Sequence, residues 1–334
     1  MNYEKKILIK KEIIKRTLPK SLNSKEKKLF YNDKVNHIPD FYLIKLTNVI
    51  INKNGLPILK NKELINDYLD ISGISTLKFI KKNIILIRYY INIFFDKLFN
   101  FHKFKFINEA IFVNNRHSYG YAHWVCDILP KLIYINKDKI LKKRKIIINL
   151  PYNKFHKDYV NKIGRKKFFL QKKNTYIKIK NFYYLSKIHN SGNPRPSSVF
   201  SLRKFFLKKN KKPYRKVYIS RKFANKRVLE NDDIFCEYLK EKGFEIHFFE
   251  KYSVSKQINI VSNSKTLIGF SGAGLINTLW LPKLSSLIDI RPETDSNVNV
   301  IFSISNIIGV NYNIFLCKKS NLLKSNHYSN FKIN

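Results

Sequence analysis

The second half of the chain alternates short apolar runs with helical patterns. Apolar runs predict strands at residues 216–220, 244–249, 266–270, 287–290 and 312–316. Helical patterns lie between them, at residues 232–242, 255–262, 274–281 and from 295 or 296 to 308. Strands that alternate with helices at this spacing predict an α/β fold, with a parallel, doubly wound sheet and right-handed crossovers.

Capping signals set the bounds of several of these helices. Glu230 or Asn231 can cap the first, whose opening turn carries Asp232 and Asp233 at its positive end, and Gly243 ends it. Asp295 or Ser296 can cap the last helix of this half, and a further helix capped near Ser197 or Ser198 runs to the basic cluster at 208–212.

The first half of the chain is less regular and also predicts α/β structure. Residues 38–60 predict extra strands near the N-terminus, with a turn at Asn54-Gly55. Further strands are predicted at 145–150, 166–170 and 176–185, and a helix within 116–135. Residues 61–105 are apolar and mixed in pattern.

A Gly-, Pro- and Ser-rich segment, HNSGNPRPSS, gives the clearest domain boundary. We therefore expect an N-terminal α/β domain at residues 1–190, a linker with a connecting helix at 191–214, and a C-terminal domain at 215–334. Two such domains leave a cleft, and ligands of doubly wound sheets bind at the carboxyl ends of the strands.

Composition supports folded domains and leaves the role of the charge open. The chain has 334 residues, 44% of them hydrophobic, which argues against general disorder. Its net charge is +42, from 65 basic and 23 acidic residues. Such a charge attracts nucleic acid, anionic lipid or phosphorylated ligands, but the joint excess of Lys, Asn and Ile is typical of an AT-rich genome. Arg is scarce, so each Arg in a motif carries more information than the Lys runs.

Cysteine usage and hydropathy point to a cytoplasmic protein. Cys126, Cys236 and Cys317 stand far apart and form neither a metal pattern nor a disulfide framework, which suits a reducing compartment. The N-terminal sequence MNYEKKILIKKEIIKR has no apolar core of signal-peptide length. Residues 83–95 are too short to span a bilayer and carry Arg88, so we predict a buried helix there. Peripheral contact of a basic, aromatic surface with an anionic membrane, at its inner face, is left open.

The segment KTLIGFSGAGLINTLW predicts an anion site. An apolar strand feeds a turn with Gly272 and Gly274, and an apolar helix follows. Glycines let the backbone approach a ligand closely, and amides at a helix start point at negative charge. Ser271 and Asn277 are polar groups beside the turn. The alternative is a tight turn between two core elements. The dinucleotide fingerprint fits poorly, because Asn277 stands where its third glycine belongs and the turn follows the third strand.

Two further clusters follow the first and second strands of this half. Arg221 and Arg227 follow the first strand, where a planar guanidinium can contact a diphosphate in a bidentate manner. A basic surface loop is the alternative. Glu250 ends the second strand and can accept hydrogen bonds from ribose hydroxyls, or it is a solvated loop acid.

The segment YAHWVCDILPKL in the first half contains a candidate acid–base pair. If it is helical, His123 and Asp127 lie one turn apart on one face. A carboxylate beside a His fixes its tautomer and raises its basicity, which gives a general base near neutral pH. Pro130 must kink this helix or start a new one. The alternative is that His123 packs beside Trp124 while Asp127 is solvated.

Together and in this order, these segments resemble glycosyltransferase family 61, which includes bacterial capsular-polysaccharide enzymes. The resemblance runs through HWVCDILPKL, YISRKFANKRVLENDDIF, FEKYSVSKQINIVSNSKTLIGFSGAGLIN and SSLIDIRP, roughly residues 108 to 293. One departure matters: Ser271 stands where many relatives have a histidine, so the role of that histidine cannot be transferred to this chain.

The resemblance implies an inverting glycosyltransferase of surface polysaccharide biosynthesis, with two Rossmann-like domains (GT-B type) that face a cleft. It implies a nucleotide-sugar donor, usually a UDP-sugar, and a saccharide or lipid-linked saccharide acceptor, with no metal and no cofactor. The N-terminal half would bind the acceptor, with His123 or Asp127 as the base. The C-terminal half would bind the donor through Arg221, Arg227, Glu250, Ser271, Gly272, Ala273, Gly274, Leu275 and Asn277.

Two other function classes compete with this interpretation. A sugar-nucleotide epimerase or a dinucleotide-binding oxidoreductase could use a similar scaffold. A nucleic-acid-binding protein is suggested by net charge alone, and the scattered Lys argue against it.

Overall fold

The protein was analysed as a computed structural model that describes residues 3–19, 22–71, 79–99, 104–148, 153–164, 168–172, 175–208, 212–224, 227–293, 299–320 and 330–333. It is a mixed α/β structure, as predicted, with two six-stranded sheets and one two-stranded sheet among the described residues. Contacts divide the chain into two units, Met1–Glu12 with Ile38–Ser191, and Ile13–His37 with Gly192–Asn334. Residues 13–37 were predicted to belong to the N-terminal domain, whereas their contacts are with the second unit.

The strands of the described residues are numbered in chain order. They are β1 (Glu4–Ile9), β2 (Glu12–Lys15), β3 (Val35–Ile38), β4 (Phe41–Ile51), β5 (Phe104–Phe112), β6 (Lys145–Ile148), β7 (Phe168–Leu170), β8 (Tyr176–Leu185), β9 (Arg215–Ile219), β10 (Glu245–His247), β11 (Ser264–Phe270), β12 (Ser286–Pro292), β13 (Asn311–Lys319) and β14 (Phe331–Lys332).

The α-helices are α1 (Ser24–Lys28), α2 (Lys62–Tyr68), α3 (Phe79–Phe99), α4 (Tyr121–His123), α5 (Leu129–Lys137), α6 (Lys154–Ile163), α7 (Pro196–Phe206), α8 (Asp232–Glu241), α9 (Val254–Ser262) and α10 (Val300–Ile308). A π-helical turn, Trp124–Ile128, joins α4 to α5. Short 3₁₀ helices lie at Tyr31–Asp33, Leu141–Lys143, Phe249–Lys251 and Ala273–Trp280.

The sheet of the first unit has the order β1-β4-β8-β5-β6-β7. Strands β8, β5, β6 and β7 are parallel, whereas β1 and β4 add an antiparallel edge. The inner strands are buried on both faces, which is why β6 is an almost continuous apolar run. The predicted turn at Asn54-Gly55 is present with Gly55 at φ 77°, but the chain beyond it pairs only through an isolated bridge between Ile51 and Pro57.

The sheet of the second unit has the order β10-β9-β11-β12-β13-β14, in which β14 is antiparallel to β13 and the others are parallel. Each of the five strands predicted for this half is present. Counted along the chain, the parallel strands have the order 2-1-3-4-5. This order reverses between β9 and β11, and such a switch point is where doubly wound sheets bind ligands.

Four local predictions differ from the structure or lie outside its described part. The predicted α-helix at 274–281 is the 3₁₀ helix Ala273–Trp280. Asn231 does not cap α8, because its side chain pairs with the backbone of Ile333. Helix α7 begins at Pro196, a residue suited to a first helical turn, and not at a serine cap. Asp295 and Ser296 lie outside the described residues.

The predicted buried helix at 83–95 is present as part of α3, but its burial was predicted wrongly. Tyr89 and Ile93 pack into the core of the first unit, whereas Ile87 and Phe94 are 55% and 58% exposed. Apolar residues lie on both the buried and the exposed face of this helix, and a prediction from composition cannot tell which of them are buried. Among the described residues, no helix has the length and apolarity needed to cross a bilayer.

Candidate active site

The carboxyl ends of β5 and β8 bring together the polar residues of the first unit. These two strands are parallel neighbours, so the residues that follow them lie close in space. Asn115 follows β5, and His189 follows β8. The helical segment 121–137 carries His123 and Asp127 to the same place.

Asp127 is the centre of this cluster. His123 Nδ1 lies 2.8 Å from Asp127 Oδ2, as the one-turn spacing predicts. Asn115 Nδ2 donates to the same oxygen at 3.2 Å. His189 Nε2 lies 3.6 Å from Oδ1, on the other side of the carboxylate. Asp127 is therefore fixed in place from three directions.

Pro130 explains how His189 joins the cluster. A proline has no N–H, so it cannot donate to the carbonyl four residues before it, which here belongs to Cys126. His189 Nε2 contacts the Cys126 carbonyl oxygen at 2.9 Å instead. The π-helical turn Trp124–Ile128 lies immediately before Pro130, and such turns are frequent at functional sites.

The electrostatics assign different roles to the two members of the pair. Burial disfavours a charge on Asp127, but the hydrogen bond from His123 and the charges of His189 and His123 outweigh it, so the pKa of Asp127 is lowered. Burial also disfavours the charged form of His123. The hydrogen bond to Asp127 outweighs that effect, and the pKa of His123 is raised. Asp127 thus stays ionised and makes His123 more basic.

The exposure of the two side chains agrees with these roles. The Asp127 side chain is 12% exposed and the His123 side chain 32%. The ring of His117 stacks on His123 with centroids 5.0 Å apart. Burial and the nearby His123 lower the pKa of His117 to about 4, so His117 is neutral at physiological pH. His123 is therefore the more accessible member of the pair.

A cavity of about 180 Å³ lies beside this cluster. Asn115, which donates to Asp127, is among its lining residues, together with Asn114, Arg116 and Trp124. Within the described part of the chain, Trp124 Nε1 and Asn114 Oδ1 are buried and have no hydrogen-bond partner. These two atoms have almost no accessible surface, although their residues border the cavity. Ser118 and His156 also border it, so its lining is largely polar.

In the second unit, two sequence clusters meet at the switch point between β9 and β11. Arg221 follows β9, and Gly272 follows β11. Arg227 Nη1 donates to the Ser271 carbonyl at 3.0 Å, and Arg221 Nε donates to the Arg227 carbonyl at 3.1 Å. A Cβ added to Gly272 would lie 2.9 Å from Arg221 Nη1 and 3.1 Å from Arg227 Nη2. Both guanidinium groups thus lie against the glycine turn.

Two neighbouring cations give this turn a local positive charge. Burial, followed by the charge of Arg227, lowers the pKa of Arg221 to about 10, and the charge of Glu250 opposes the shift. Arg221 remains protonated at neutral pH. Glu250 lies in the 3₁₀ helix Phe249–Lys251 directly after β10 and is exposed. The arrangement concentrates positive charge where the sheet topology places a ligand.

The backbone amides of the turn are only partly available. The Ser271 amide donates to the Ile290 carbonyl at 2.8 Å, and the Leu275 amide to the Gly272 carbonyl at 3.1 Å. The amides of Gly272, Ala273 and Gly274 come before the first hydrogen bond of the 3₁₀ helix. Of the amides predicted to contribute at residues 271–275, the candidates are therefore those of residues 272–274, beside the two arginines.

Asn277 and the Leu275 side chain support the turn from inside. Asn277 is 1% exposed; its Nδ2 donates to Gln257 Oε1 and the Gly274 carbonyl, and its Oδ1 accepts from Trp280 Nε1. The amide group of Asn277 is hydrogen-bonded within the protein, so the predicted contact of this side chain with a ligand is not supported. Leu275 is also 1% exposed and packs over Gly269.

The family model described as Glycosyltransferase 61 matches residues 121–288, about half of the chain. The match begins at the helix that carries His123 and Asp127 and extends through the glycine turn to β12. The chain belongs to glycosyltransferase family 61. No curated protein gives a significant match. Family membership supports a transferase that binds a sugar donor and an acceptor, and it gives no support to the epimerase or oxidoreductase alternative.

Three residues that the structure brings to this cluster were not predicted as site residues. Asn115 and His189 contact Asp127 from distant positions, and only the pairing of β5 with β8 makes them neighbours. Lys131 was also missed. It is 2% exposed and donates to the carbonyls of Val113 and Leu185, which follow β5 and end β8. A polar residue at the end of each parallel strand was the available signal.

Through these two hydrogen bonds, Lys131 fixes helix α5 against the carboxyl ends of β5 and β8. Burial lowers its pKa to about 8, while the charges of Asp67, Asp127 and Asp70 oppose that shift. Within the described ranges, no group of three or more His, Cys, Asp or Glu side chains could hold a metal ion.

Proposed function

We propose that this family 61 enzyme transfers a sugar from a nucleotide-sugar, a UDP-sugar, to a saccharide acceptor with inversion at the anomeric carbon. The observation that carries the proposal is the convergence of Arg221 and Arg227 on Gly272 at the switch point of the second unit. A diphosphate carries two negative charges or more and needs stabilisation when it leaves. Two planar guanidinium groups can provide it in the role that a metal ion has in other transferases.

The transfer is a single displacement with His123 as the base. The acceptor hydroxyl oxygen attacks the anomeric carbon and forms the new C–O bond, while its proton moves to His123. The bond from the anomeric carbon to the diphosphate oxygen breaks, and its electron pair leaves with UDP. Asp127 holds the imidazole and stabilises its charged form, as the 2.8 Å contact supports.

The cavity beside Trp124 supports a saccharide as the acceptor. Sugar hydroxyls both donate and accept, and the residues that border the cavity, among them Asn114, Asn115 and Ser118, have side chains that do the same. Asn115 lines the cavity and contacts Asp127, which links acceptor binding to the base. We assign acceptor binding to the first unit and donor binding to the second, as the two Rossmann-like domains of a GT-B enzyme. We further propose a role in capsular polysaccharide biosynthesis on the cytoplasmic side of the membrane.

A thermal-shift panel of UDP, GDP, CMP and NAD tests the donor class. We expect UDP to stabilise the protein most, because a ligand at 100 times its dissociation constant adds about 2.7 kcal/mol of stability. The same panel of ligands is then measured with the variant Arg221→Ala, in which the stabilisation by UDP should be largely lost. Stabilisation by NAD alone, or by UDP equally in both proteins, would contradict the proposal.

A further inference from the structure

Helix α3 has an inner face that is fixed to the first unit. Tyr89 and Ile93 are buried in its core. Tyr89 donates its hydroxyl to the Pro57 carbonyl at 2.7 Å. Asp96 accepts from Asn52 at 2.5 Å and from the Tyr176 hydroxyl at 2.8 Å. The inner face already has its packing partners, so it does not explain the apolar residues on the opposite face.

The opposite face carries a continuous apolar stripe. Its members recur at alternating intervals of four and three residues, which places them within about 80° of the helix circumference and along about 27 Å of its length. We call these residues the outer stripe: Ile80, Ile84, Ile87, Ile91, Phe94 and Leu98, with exposures of 76%, 45%, 55%, 47%, 58% and 57%. A stripe of this length is larger than the scattered apolar residues of an ordinary surface.

The surroundings of the outer stripe are basic. Lys81 and Arg88 are exposed along one edge of it. The only acidic residue in the α3 sequence is Asp96, which faces the core.

We propose that the outer stripe docks on the surface of an anionic lipid bilayer, with α3 parallel to the membrane plane. An apolar face with basic residues beside it is typical of helices that lie in the interfacial region, and each basic residue near an anionic surface adds attraction. A second copy of the chain fits less well, because a symmetric pair would bring Lys81 and Arg88 of two highly basic molecules together. The proposal does not depend on the proposed sugar transfer.

Vesicle cosedimentation tests the proposal with the full chain. The probes are vesicles of phosphatidylglycerol and phosphatidylcholine in equal parts, and vesicles of phosphatidylcholine alone. We expect binding to the anionic vesicles, and at least about tenfold weaker binding for the variant Ile87→Ser/Ile91→Ser/Phe94→Ser. Lys81→Gln/Arg88→Gln should weaken binding about fivefold per charge. The control is Ile234→Ser, which changes a 70% exposed isoleucine on α8 and should bind as the wild type does.

Three results would overturn membrane docking through this face. The wild type could fail to bind the anionic vesicles, or the stripe and charge variants could bind them as well as the wild type does. The wild type could also form a dimer by gel filtration that the stripe variant dissociates, without vesicle binding, which would assign the face to a second copy. Thermal melts confirm that each variant is folded. Sugar transfer to a soluble acceptor should be unchanged in the stripe variant. This assay therefore distinguishes a loss of membrane binding from a failure of the proposed function.

Discussion

His123 and Asp127 divide two requirements of base catalysis between them. A base must reach the substrate, and it must also be held in one orientation and tautomer. Asp127 is nearly buried and contacts His123, Asn115 and His189, so it provides orientation. About a third of the His123 side chain is exposed, so this residue is the one that is accessible to a substrate. The sequence left the choice between the two residues open, and this arrangement is the reason why we propose His123 as the base.

The pH dependence of the transfer rate follows from this pair. His123 must be neutral to accept a proton, so the rate should fall as the pH drops through the pKa of His123. The hydrogen bond to Asp127 raises that pKa. In Asp127→Asn the charge is absent, so we expect the acid limb of the rate profile to move to lower pH, and the maximal rate to fall by about 10²–10⁴. The measurement is kcat against pH for both proteins.

The control for this profile is His247→Gln, which removes a histidine of the second unit and should leave the acid limb in place. If Asp127→Asn keeps the acid limb of the wild type, His123 is not the group that titrates, and the assignment of the base is wrong.

Two residues show the limits of residue-level prediction. Asn277 was expected at the ligand because polar residues beside glycine turns often contact one, but it is buried and hydrogen-bonded internally. His189 was treated only as part of a boundary segment, although it lies 3.6 Å from Asp127. Sequence patterns report the face that a residue occupies in its own element, whereas these contacts depend on which elements are neighbours.

At the scale of elements, three glycines near the end of β11 have different neighbours and should respond differently to Ala. A Cβ at Gly272 would lie 2.9 Å from Arg221 Nη1, so Gly272→Ala should weaken UDP binding by about tenfold, the equivalent of one charge-assisted hydrogen bond. A Cβ at Gly269 would lie 2.9 Å from Leu275 Cδ1, so Gly269→Ala should cost about 1–3 kcal/mol of stability through overpacking.

The matched comparison for both variants is Gly274→Ala, whose Cβ would meet only Ile219 Cγ2, at 3.4 Å. It should change UDP affinity less than Gly272→Ala and stability less than Gly269→Ala. UDP titration and thermal melts of the three variants measure both effects. Equal losses of UDP affinity in all three would show that the arginines do not act through Gly272.

Pro130 provides a test of the helix that carries the base. Pro130→Ala introduces an N–H that can donate to the Cys126 carbonyl, which His189 now contacts at 2.9 Å. We expect His189 to be displaced and transfer to fall by up to about 10², since small misplacements of catalytic groups have effects of this size. Stability should be unchanged or higher, because alanine favours helices. Full activity in Pro130→Ala would remove His189 from the positioning of Asp127.

Elements of the second unit were predicted better than those of the first. Its strands and helices alternate in short segments, and the pattern of apolar residues within each segment is enough to identify it. Each of the five predicted strands is present. In α3, by contrast, apolar residues occupy both the buried and the exposed face. The helix could therefore be predicted, but the exposure of its individual side chains could not. The 3₁₀ conformation of Ala273–Trp280 also has no clear signal in an apolar sequence that an α-helix would equally accept.

At the scale of the whole molecule, net charge sets the response to salt. With 65 basic and 23 acidic residues, the folded chain repels itself. Salt shortens the screening length from about 10 Å at 0.1 M to about 3 Å at 1 M. We therefore expect the melting temperature to rise as sodium chloride is added across this range. A melting temperature that falls with added salt would show that attractive ion pairs dominate the electrostatics.

The sequence predicted the α/β class, the His123–Asp127 pair of the first unit, and the two arginines beside the glycine turn of the second. It could not predict that residues 13–37 belong with the second unit, because that association depends on contacts made far along the chain. The same reason explains Asn115 and His189, which only the pairing of β5 with β8 brings to the helix of Asp127. Local patterns specify the elements, and tertiary pairing completes the site.

The central claim is that Arg221 and Arg227 bind the diphosphate of the donor. Titration calorimetry of UDP, UMP and uridine, on the wild type and on Arg221→Ala/Arg227→Ala, tests it most directly. We predict that the wild type prefers UDP strongly over uridine, and that the double variant loses at least about tenfold of that preference per arginine. A double variant that binds UDP more weakly, but with an unchanged preference over uridine, would contradict the claim.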